Sequence, residues 1–366
     1  MTKTPALRQS VGGLLVVGLS GLEVTGLERA WLKLIRPGGI ILFRRNIADP
    51  AQTRSLLAET AGFCTEHHLR CVDIEGGTVD RLRDAVAPMP SAQAVAQTAK
   101  AALMRRHGEL IAREALAFGF NTTLAPVLDL AHPDSAGVMG TRSAAATPAG
   151  VTQYARAFLA GLKAQGAVGC GKHFPGLGGG TRDSHFETPA IRRSAAELWN
   201  EDLVPYRELA HELPMAMVTH AAYPETPSGN LPATASPYWA TTVLQKRIGY
   251  RGLIFSDDLE MGGILKYAPM EEAAILALRA GLHMLEICHS PELILRCYES
   301  LLKEAERSEA FRDLIVRRAA TARRLRKARF ADPPTKALSQ KQLASLREKV
   351  LQFGALVEKN PQEVQP

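Results

Sequence analysis

A glycine-rich segment of the chain carries two polar side chains that are spaced for proton transfer. Residues 172–189 read KHFPGLGGGTRDSHFETP, and Asp183 and His185 stand two positions apart within them. Side chains at that spacing point the same way in an extended segment. A carboxylate that accepts from one imidazole nitrogen orients the ring and leaves the other nitrogen to exchange a proton with a substrate. The glycines at 178–180 give backbone freedom, so we predict a general acid/base on a loop that opens and closes.

A second candidate for chemistry is Asp257, which ends the apolar stretch GLIFSDD. Glycoside cleavage with retention needs a carboxylate beside the anomeric carbon and a separate proton donor to the leaving oxygen. Asp257 fits the first role, and His185 with Asp183 fits the second. Taken alone, Asp257 is at least as typical of a helix N-cap that follows a strand. The assignment therefore depends on the fold that positions these segments.

Eight short apolar runs alternate with longer stretches rich in Ala, Leu, Glu and Arg. The runs are 14–18, 39–43, 70–74, 121–127, 167–172, 214–219, 252–255 and 282–287. The stretches with helical character are 50–63, 91–118, 148–165, 195–212 and 270–280. Buried strands alternating with helices predict parallel βα units, and eight of them suit a closed (β/α)8 TIM-type barrel. A doubly wound open sheet is the alternative, weakened because no GxGxxG motif opens a helix after the first run.

We assign residues 1–330 to the barrel and residues 331–366 to a C-terminal helical extension and tail. The chain is broken by Pro333 and Pro334, after which 336–358 read as one more helix. The apolar side of that helix is formed by Leu338, Leu343, Leu346, Val350 and Phe353. We expect this side to pack on the exterior of the barrel.

Polar side chains follow five of the eight apolar runs, where a barrel of this type carries its function. They are Asp73, Glu75, Arg81, Asp129, Arg142, Lys172, His173, His220, Asp257 and Asp258. A core built for stability alone would not collect them at one rim. Arg81 and Arg142, taken alone, are equally typical of structural ion pairs, and for His220 we expect only a supporting role.

Four motifs in this chain resemble those of a known family. They are D-I-E-G-G (73–77), G-K-H-F-P-G (171–176), D-S-H-x-E-T-P (183–189) and F-S-D-D-L-x-M (255–261). Their order and spacing across most of residues 10–300 are similar to those of the bacterial β-N-acetylhexosaminidases of glycoside hydrolase family 3, the NagZ type. The resemblance implies a single barrel and retention through a covalent glycosyl-enzyme. It also implies Asp257 as the nucleophile and His185, assisted by Asp183, as the general acid/base.

The same matching implies a set of contacts to the hydroxyls and acetamido group of N-acetylglucosamine. These contacts are Asp73, Arg81, Arg142, Lys172 and His173. The implied substrate is N-acetylglucosaminyl-anhydromuramic acid, free or with its peptide, in cytoplasmic cell-wall recycling, and we expect no metal and no other cofactor. Three positions depart from the family pattern, namely Thr78 (often Arg), Leu177 (often His) and Glu260 (usually Ser). They bear on loop closure and substrate preference.

The charge distribution and the cysteine content indicate which kinds of partner and which cellular compartment to expect. The chain has 44 Lys and Arg against 37 Asp and Glu, and residues 311–330 carry the whole excess of +7. Apolar residues recur there at helical spacing, which predicts an amphipathic helix with a solvated basic face. Basic and aromatic residues do not interleave, so we expect no nucleic-acid partner. The five cysteines form an odd set with no CxxC, which favours a reducing compartment over disulfides or structural zinc.

The apolar stretch near the N-terminus raises the question of a membrane segment. Residues 9–22 carry no charge, but these fourteen positions are fewer than the roughly 20 needed to span a bilayer. No Ala-x-Ala cleavage site follows them. We therefore predict a buried strand, no membrane insertion and a cytoplasmic location.

Three other functions stay open at this point. A metal-dependent barrel hydrolase also gathers His, Asp and Lys at strand ends, although a His-x-His after the first strand is absent. A phosphorylase built on the same site is chemically consistent, because a histidine acid/base adds no anion to repel phosphate. A sugar-binding protein without turnover is disfavoured by the complete set of candidate groups.

Overall fold

The structure is a computed structural model that describes residues 4–133, 138–179, 188–330 and 337–360. Its strands are β1 (Leu15–Val17), β2 (Gly39–Leu42), β3 (Leu69–Val72), β4 (Ile74–Gly76), β5 (Val79–Asp80), β6 (Thr122–Thr123), β7 (Val168–Phe174), β8 (Met215–Val218), β9 (Ala222–Tyr223), β10 (Gly229–Pro232), β11 (Leu253–Asp258) and β12 (Met284–Ile287). Eight of them close into a parallel barrel in the order β1, β12, β11, β8, β7, β6, β3, β2. The predicted (β/α)8 barrel is confirmed, and each predicted run overlaps one barrel strand.

Helices surround the barrel. They are α1 (Thr4–Gly12), α2 (Gly26–Ile35), α3 (Pro50–Ala61), α4 (Ala92–Gln97), α5 (Ala101–Ala117), α6 (Pro148–Gln165), α7 (Ala195–Asn200), α8 (Val204–Glu208), α9 (Gly262–Leu265), α10 (Met270–Ala280), α11 (Pro291–Arg307), α12 (Glu309–Arg329) and α13 (Gln340–Glu358). The helical stretch 91–118 consists of two helices, because Ala99 adopts a left-handed φ of 48° that separates α4 from α5. The stretch 195–212 is likewise two helices, with a non-helical Glu201 after α7.

The barrel strands are buried along both faces. All four residues of β2 (GIIL) and of β8 (MAMV) are buried, without alternation. This pattern follows from parallel strands whose outer faces are covered by helices and whose inner faces fill the barrel. Leu15, Val16 and Val17 belong to this core, as predicted for the first apolar run. In the described part of the chain, no helix has the length and apolar character needed to cross a membrane.

Local signals fix where the strand that carries Lys172 and His173 begins. The preceding helix α6 starts at Pro148, after the N-cap Thr147, whose hydroxyl accepts from the Gly150 amide. It ends at Gly166, whose φ of 86° is a left-handed conformation that glycine adopts without strain. Strand β7 follows two residues later and runs to the rim of the barrel.

The basic segment 311–330 forms α12, as its periodicity predicts. Phe311, Ile315 and Leu325 are buried on its apolar side. Arg326 is an exception to the solvated basic face, since it is only 2% exposed and donates to the carbonyl of Gly38. Arg326 of the basic helix thus binds the backbone at the N-terminal end of β2.

The last helix, α13, lies against α4 and α5. Its Phe353 stacks on His107 of α5, with ring centroids 5.8 Å apart and an interplanar angle of 28°. The His107 Nδ1 lies 3.0 Å from the hydroxyl of Tyr154. The ring also lies next to Gly76, where an added Cβ would be 3.0 Å from His107 Nε2. The buried imidazole of His107 therefore contacts both α13 and the end of β4.

The buried imidazole predicts a specific acid sensitivity. Burial lowers the pKa of His107 from 6.5 to about 3. Since the folded-state pKa is the lower one, the unfolded chain binds more protons below pH 6.5, and stability falls as the pH falls from there toward 3. We expect the loss of unfolding free energy between pH 7 and pH 5 to be about 2 kcal/mol smaller in His107→Gln than in the native chain.

Urea unfolding at the two pH values measures this difference. The control is the exposed His211, because His211→Gln should lose as much unfolding free energy between the two pH values as the native chain does. Equal losses in the native chain and in His107→Gln would show that His107 titrates normally.

Candidate active site

A cavity of about 380 Å³ opens at the C-terminal ends of the barrel strands. Six of the eight predicted site residues lie in the described part of the chain, and all six line this cavity. They are Asp73, Arg81, Arg142, Lys172, His173 and Asp257. Asp183 and His185 lie outside the described residues, so their roles stay predictions.

Two cations on the cavity wall, the buried Lys172 and the partly buried Arg142, share one carboxylate, Glu75 of β4. Arg142, in the short 3₁₀ helix Gly140–Arg142, approaches it with two nitrogens, Nε at 2.8 Å from Oε2 and Nη2 at 2.9 Å from Oε1. Lys172 Nζ lies 2.6 Å from Glu75 Oε1 and 2.9 Å from Asp73 Oδ1. Burial alone would raise the pKa of Glu75, but Arg142 and Lys172 hold it well below its usual value. Glu75 thus fixes both cations at the cavity.

His173 is oriented by Asp129, which ends the segment after β6. The Asp129 Oδ2 lies 2.6 Å from His173 Nδ1 and accepts from the His173 amide at 3.1 Å. Its other oxygen accepts from the amide of Leu177 at 2.6 Å. The buried carboxylate of Asp129 therefore orients the His173 imidazole and holds the backbone at the start of the glycine-rich loop. Leu177, one of the three departures from the family pattern, lines the cavity itself.

Asp257 is the penultimate residue of barrel strand β11 and caps no helix. The next helix, α9, has Met261 as its N-cap, so the N-cap interpretation is wrong. One Asp257 oxygen accepts from the amide of Asp258 at 2.9 Å. Burial alone would raise the pKa of Asp257, but its electrostatic interactions with His173, His220 and Lys172 bring it below its ordinary value. Asp257 is therefore ionised at neutral pH.

The ionised carboxylate, the two paired cations and the oriented imidazole lie at the strand ends of one barrel. The family profile described as "Glycosyl hydrolase family 3 N terminal domain" matches residues 6–322. The chain belongs to glycosyl hydrolase family 3.

Individual relatives agree with this family 3 assignment. A β-hexosaminidase of Alkalilimnicola ehrlichii is 39% identical over 289 residues, which cover 77% of this chain and 82% of that protein. A family 3 β-N-acetylglucosaminidase from Paenibacillus sp. superposes with a TM-score of 0.85 at 30% identity, over 95% of this chain and 68% of that one. NagZ from Neisseria gonorrhoeae, in complex with N-trifluoroacetyl-D-glucosamine, gives a TM-score of 0.71 at 30% identity, over 85% and 98%. The predicted resemblance to bacterial β-N-acetylhexosaminidases and the enzyme class, a glycoside hydrolase, are confirmed.

His220 and Arg81 of this family 3 hydrolase are held very differently. His220 is buried, with Nδ1 2.8 Å from the hydroxyl of Thr234 and Nε2 2.9 Å from the carbonyl of Asp258. It supports the backbone next to Asp257. Arg81 Nη2 is 3.8 Å from Asp73 Oδ2, and its guanidinium carbon lies 5.5 Å from the centroid of the Phe43 ring. With 30% of its side chain exposed, Arg81 has room to move at the mouth of the cavity.

Several cavity-lining side chains of the hydrolase were not marked by its motifs. They are Phe43, Met217, Glu286, Cys288 and His289. The sequence did contain one signal for most of them, since they belong to barrel strands or directly follow one. Glu260, the third departure, is also explained, because its Oε1 accepts from the amides of His289 at 3.0 Å and Ser290 at 2.8 Å. Glu260 joins the loop after β11 to the loop after β12.

The shared carboxylate predicts a large stability effect in the hydrolase. Glu75→Gln removes the charge that compensates the partly buried Arg142 and that, together with Asp73, compensates the buried Lys172, so we expect a loss of about 3 kcal/mol in unfolding free energy. Urea unfolding measures it. The matched control is Glu208→Gln, because Glu208 is exposed and lies 3.9 Å from Arg156. That variant should change stability by less than about 1 kcal/mol. Similar losses in both variants would contradict the role given to Glu75.

Proposed function

We propose that the chain is a retaining exo-β-N-acetylglucosaminidase that removes non-reducing terminal N-acetylglucosamine from peptidoglycan-derived muropeptides. The observation that carries this proposal is an ionised Asp257 in a small cavity whose walls hold Lys172, Arg142 and His173. Its relatives named β-hexosaminidase and β-N-acetylglucosaminidase support the choice of sugar.

The reaction proceeds in two displacements at the anomeric carbon. In the first, an oxygen of Asp257 bonds to that carbon while the bond to the leaving oxygen breaks and His185 gives that oxygen a proton. In the second, His185 takes a proton from water, the water oxygen bonds to the anomeric carbon, and the bond to Asp257 breaks. Two inversions leave the anomeric configuration unchanged. Asp183 orients the imidazole of His185 and stabilises its protonated form.

The described end of the loop supports a role for His185 at this site. Thr188 follows three positions later, and its hydroxyl donates to the carbonyl of Gly263 at 2.6 Å. Gly263 itself lies six positions after Asp257. Thr188 therefore ties the described end of the loop to the segment that follows Asp257, which supports the role proposed for His185.

The cavity wall suits a sugar that carries hydroxyls and an acetamido group. Lys172 and Arg142 supply charged donors, while Asp73 supplies a carboxylate acceptor. Arg81 and His173 complete the proposed contacts. A volume of about 380 Å³ is small for a ligand pocket, which favours a single terminal sugar and hence exo cleavage.

We place the reaction in cell-wall recycling in the cytoplasm. The five cysteines support a reducing compartment, since all are buried thiols rather than disulfides. The substrate's aglycone, an anhydromuramic acid with or without a peptide, would lie outside the cavity mouth near Arg81.

The test is turnover of an aryl N-acetyl-β-glucosaminide with and without phosphate, with the anomer of the first product read by NMR. We expect N-acetylglucosamine as the β-anomer, a rate independent of phosphate, and no loss of activity with EDTA. N-acetylglucosamine 1-phosphate as product would replace the hydrolase by a phosphorylase. An α-anomer first product would exclude the covalent Asp257 intermediate. A disaccharide of N-acetylglucosamine and anhydromuramic acid, compared with chitobiose, then tests the substrate class.

A further inference from the structure

Three side chains of three different metal-binding types meet on one wall of the cavity. They are Asp258, at the end of β11, and Cys288 and His289, directly after β12. Each offers one ligand atom, and these atoms all lie within 4.8 Å of one another. His289 Nε2 lies 3.7 Å from Asp258 Oδ2. Ligands bonded at 2.0–2.3 Å to a tetrahedral zinc are about 3.5 Å apart, so only small adjustments are needed.

A fourth group beside them points independently to a missing ligand. Glu286 of β12 lines the same cavity, is only 2% exposed, and its Oε2 is buried without a hydrogen-bond partner among the described residues. Its Oε1 lies 3.2 Å from the Cys288 sulfur. A buried carboxylate oxygen without a partner is costly. A cation held beside Cys288 would compensate it.

We propose that Asp258, Cys288 and His289 bind one divalent cation of the zinc class, with the buried Glu286 carboxylate beside Cys288 compensating its charge. Thiolate and imidazole ligands select zinc-like cations over magnesium and calcium, which take oxygen ligands. On binding, a sulfur–metal bond forms and the thiol proton passes to solvent.

The backbone around these ligands is already organised. Asp258 Oδ1 accepts from the amides of Glu260 at 3.0 Å and Cys288 at 3.3 Å, which leaves Oδ2 to face His289. Glu260 accepts from the His289 amide and fixes that loop as well. Arg45 is a neighbouring cation, but its guanidinium donates to the carbonyls of Leu19 and Cys288. The two acids and the thiolate offset its charge.

The site lies next to the proposed nucleophile, so a bound cation would affect the reaction. A dication bound by Asp258 would lower the electron density available on the adjacent Asp257 carboxylate and would take up part of the cavity. Zinc is therefore an inhibitor of the hydrolase and not its cofactor. This consequence rests on the proposed function, whereas binding of the cation does not.

The test begins with zinc binding itself. We expect the metal-free native protein to bind one equivalent of zinc chloride in calorimetry. Bound to cobalt(II), it should show the near-ultraviolet charge-transfer band of a cobalt–thiolate bond. Cys288→Ser should abolish that band and weaken zinc binding by about 100-fold, and His289→Asn should weaken binding to a similar extent. His289 is half-exposed, so its replacement is compatible with folding even if that of the buried Cys288 is not.

Matched controls replace the same residue types elsewhere. Cys64→Ser and His211→Asn lie outside the cavity and should bind zinc as the native protein does. Native affinity in His289→Asn, or no thiolate band with cobalt in the native protein, would overturn the proposal. Zinc should also inhibit turnover reversibly with EDTA in the native protein but not in His289→Asn. Absence of glycosidase activity would refute the proposed function alone, because the zinc titration needs no substrate.

Discussion

Asp257→Asn is expected to lower turnover of an aryl N-acetyl-β-glucosaminide by about 10⁴-fold or more. The amide lacks the charge needed to attack the anomeric carbon. The two neighbouring aspartates do not replace it, since Asp73 is bound to Lys172 at 2.9 Å and both Asp258 oxygens face other partners. Steady-state kinetics measure the loss. Asp84→Asn is the control, because Asp84 is exposed and pairs only loosely with Arg44 at 3.6 Å.

Covalent trapping tests the same assignment chemically. A mechanism-based fluorosugar should label one peptide, the one that contains Asp257. Label on Asp258 or on Asp73 would move the nucleophile to that residue. A native rate in Asp257→Asn would remove Asp257 from the reaction altogether.

His185→Ala is expected to produce losses that depend on the leaving group. With poor leaving groups, whose oxygen must be protonated as it departs, kcat/KM of the variant should fall by about 10²–10⁴-fold. With activated aryl glycosides, the first displacement should slow far less. A series of aryl glycosides of increasing phenol pKa measures this slope. His211→Ala, an exposed histidine, should leave the slope unchanged. Equal losses across the series would show that His185 does not protonate the leaving group.

The barrel and most of its rim could be predicted from sequence because both depend on local patterns. Each strand is a short apolar run bounded by polar residues, and each functional side chain follows such a run. Lys172 and His173, for example, end β7 itself. The closed barrel then brings these ends together whatever their distance in sequence.

The contacts that hold these groups could not be predicted in this way. Glu75 was indistinguishable from a residue that merely holds a glycine turn, because its two partners lie 67 and 97 positions further along the chain. The grouping of Asp258 with Cys288 and His289 likewise depends on how β11 and β12 pair. The split between α4 and α5 arises from one backbone angle at Ala99, a residue whose type favours a continuous helix.

The stacking of Phe353 on His107 has a consequence for how this enzyme can diverge. The ring of His107 lies beside Gly76, the residue after Glu75, so the packing of the outermost helix extends to the strand that carries Glu75. A substitution at Phe353 would alter the packing behind that strand while every residue that lines the cavity stays the same. This helix therefore offers a route for divergence that leaves the reacting groups unchanged.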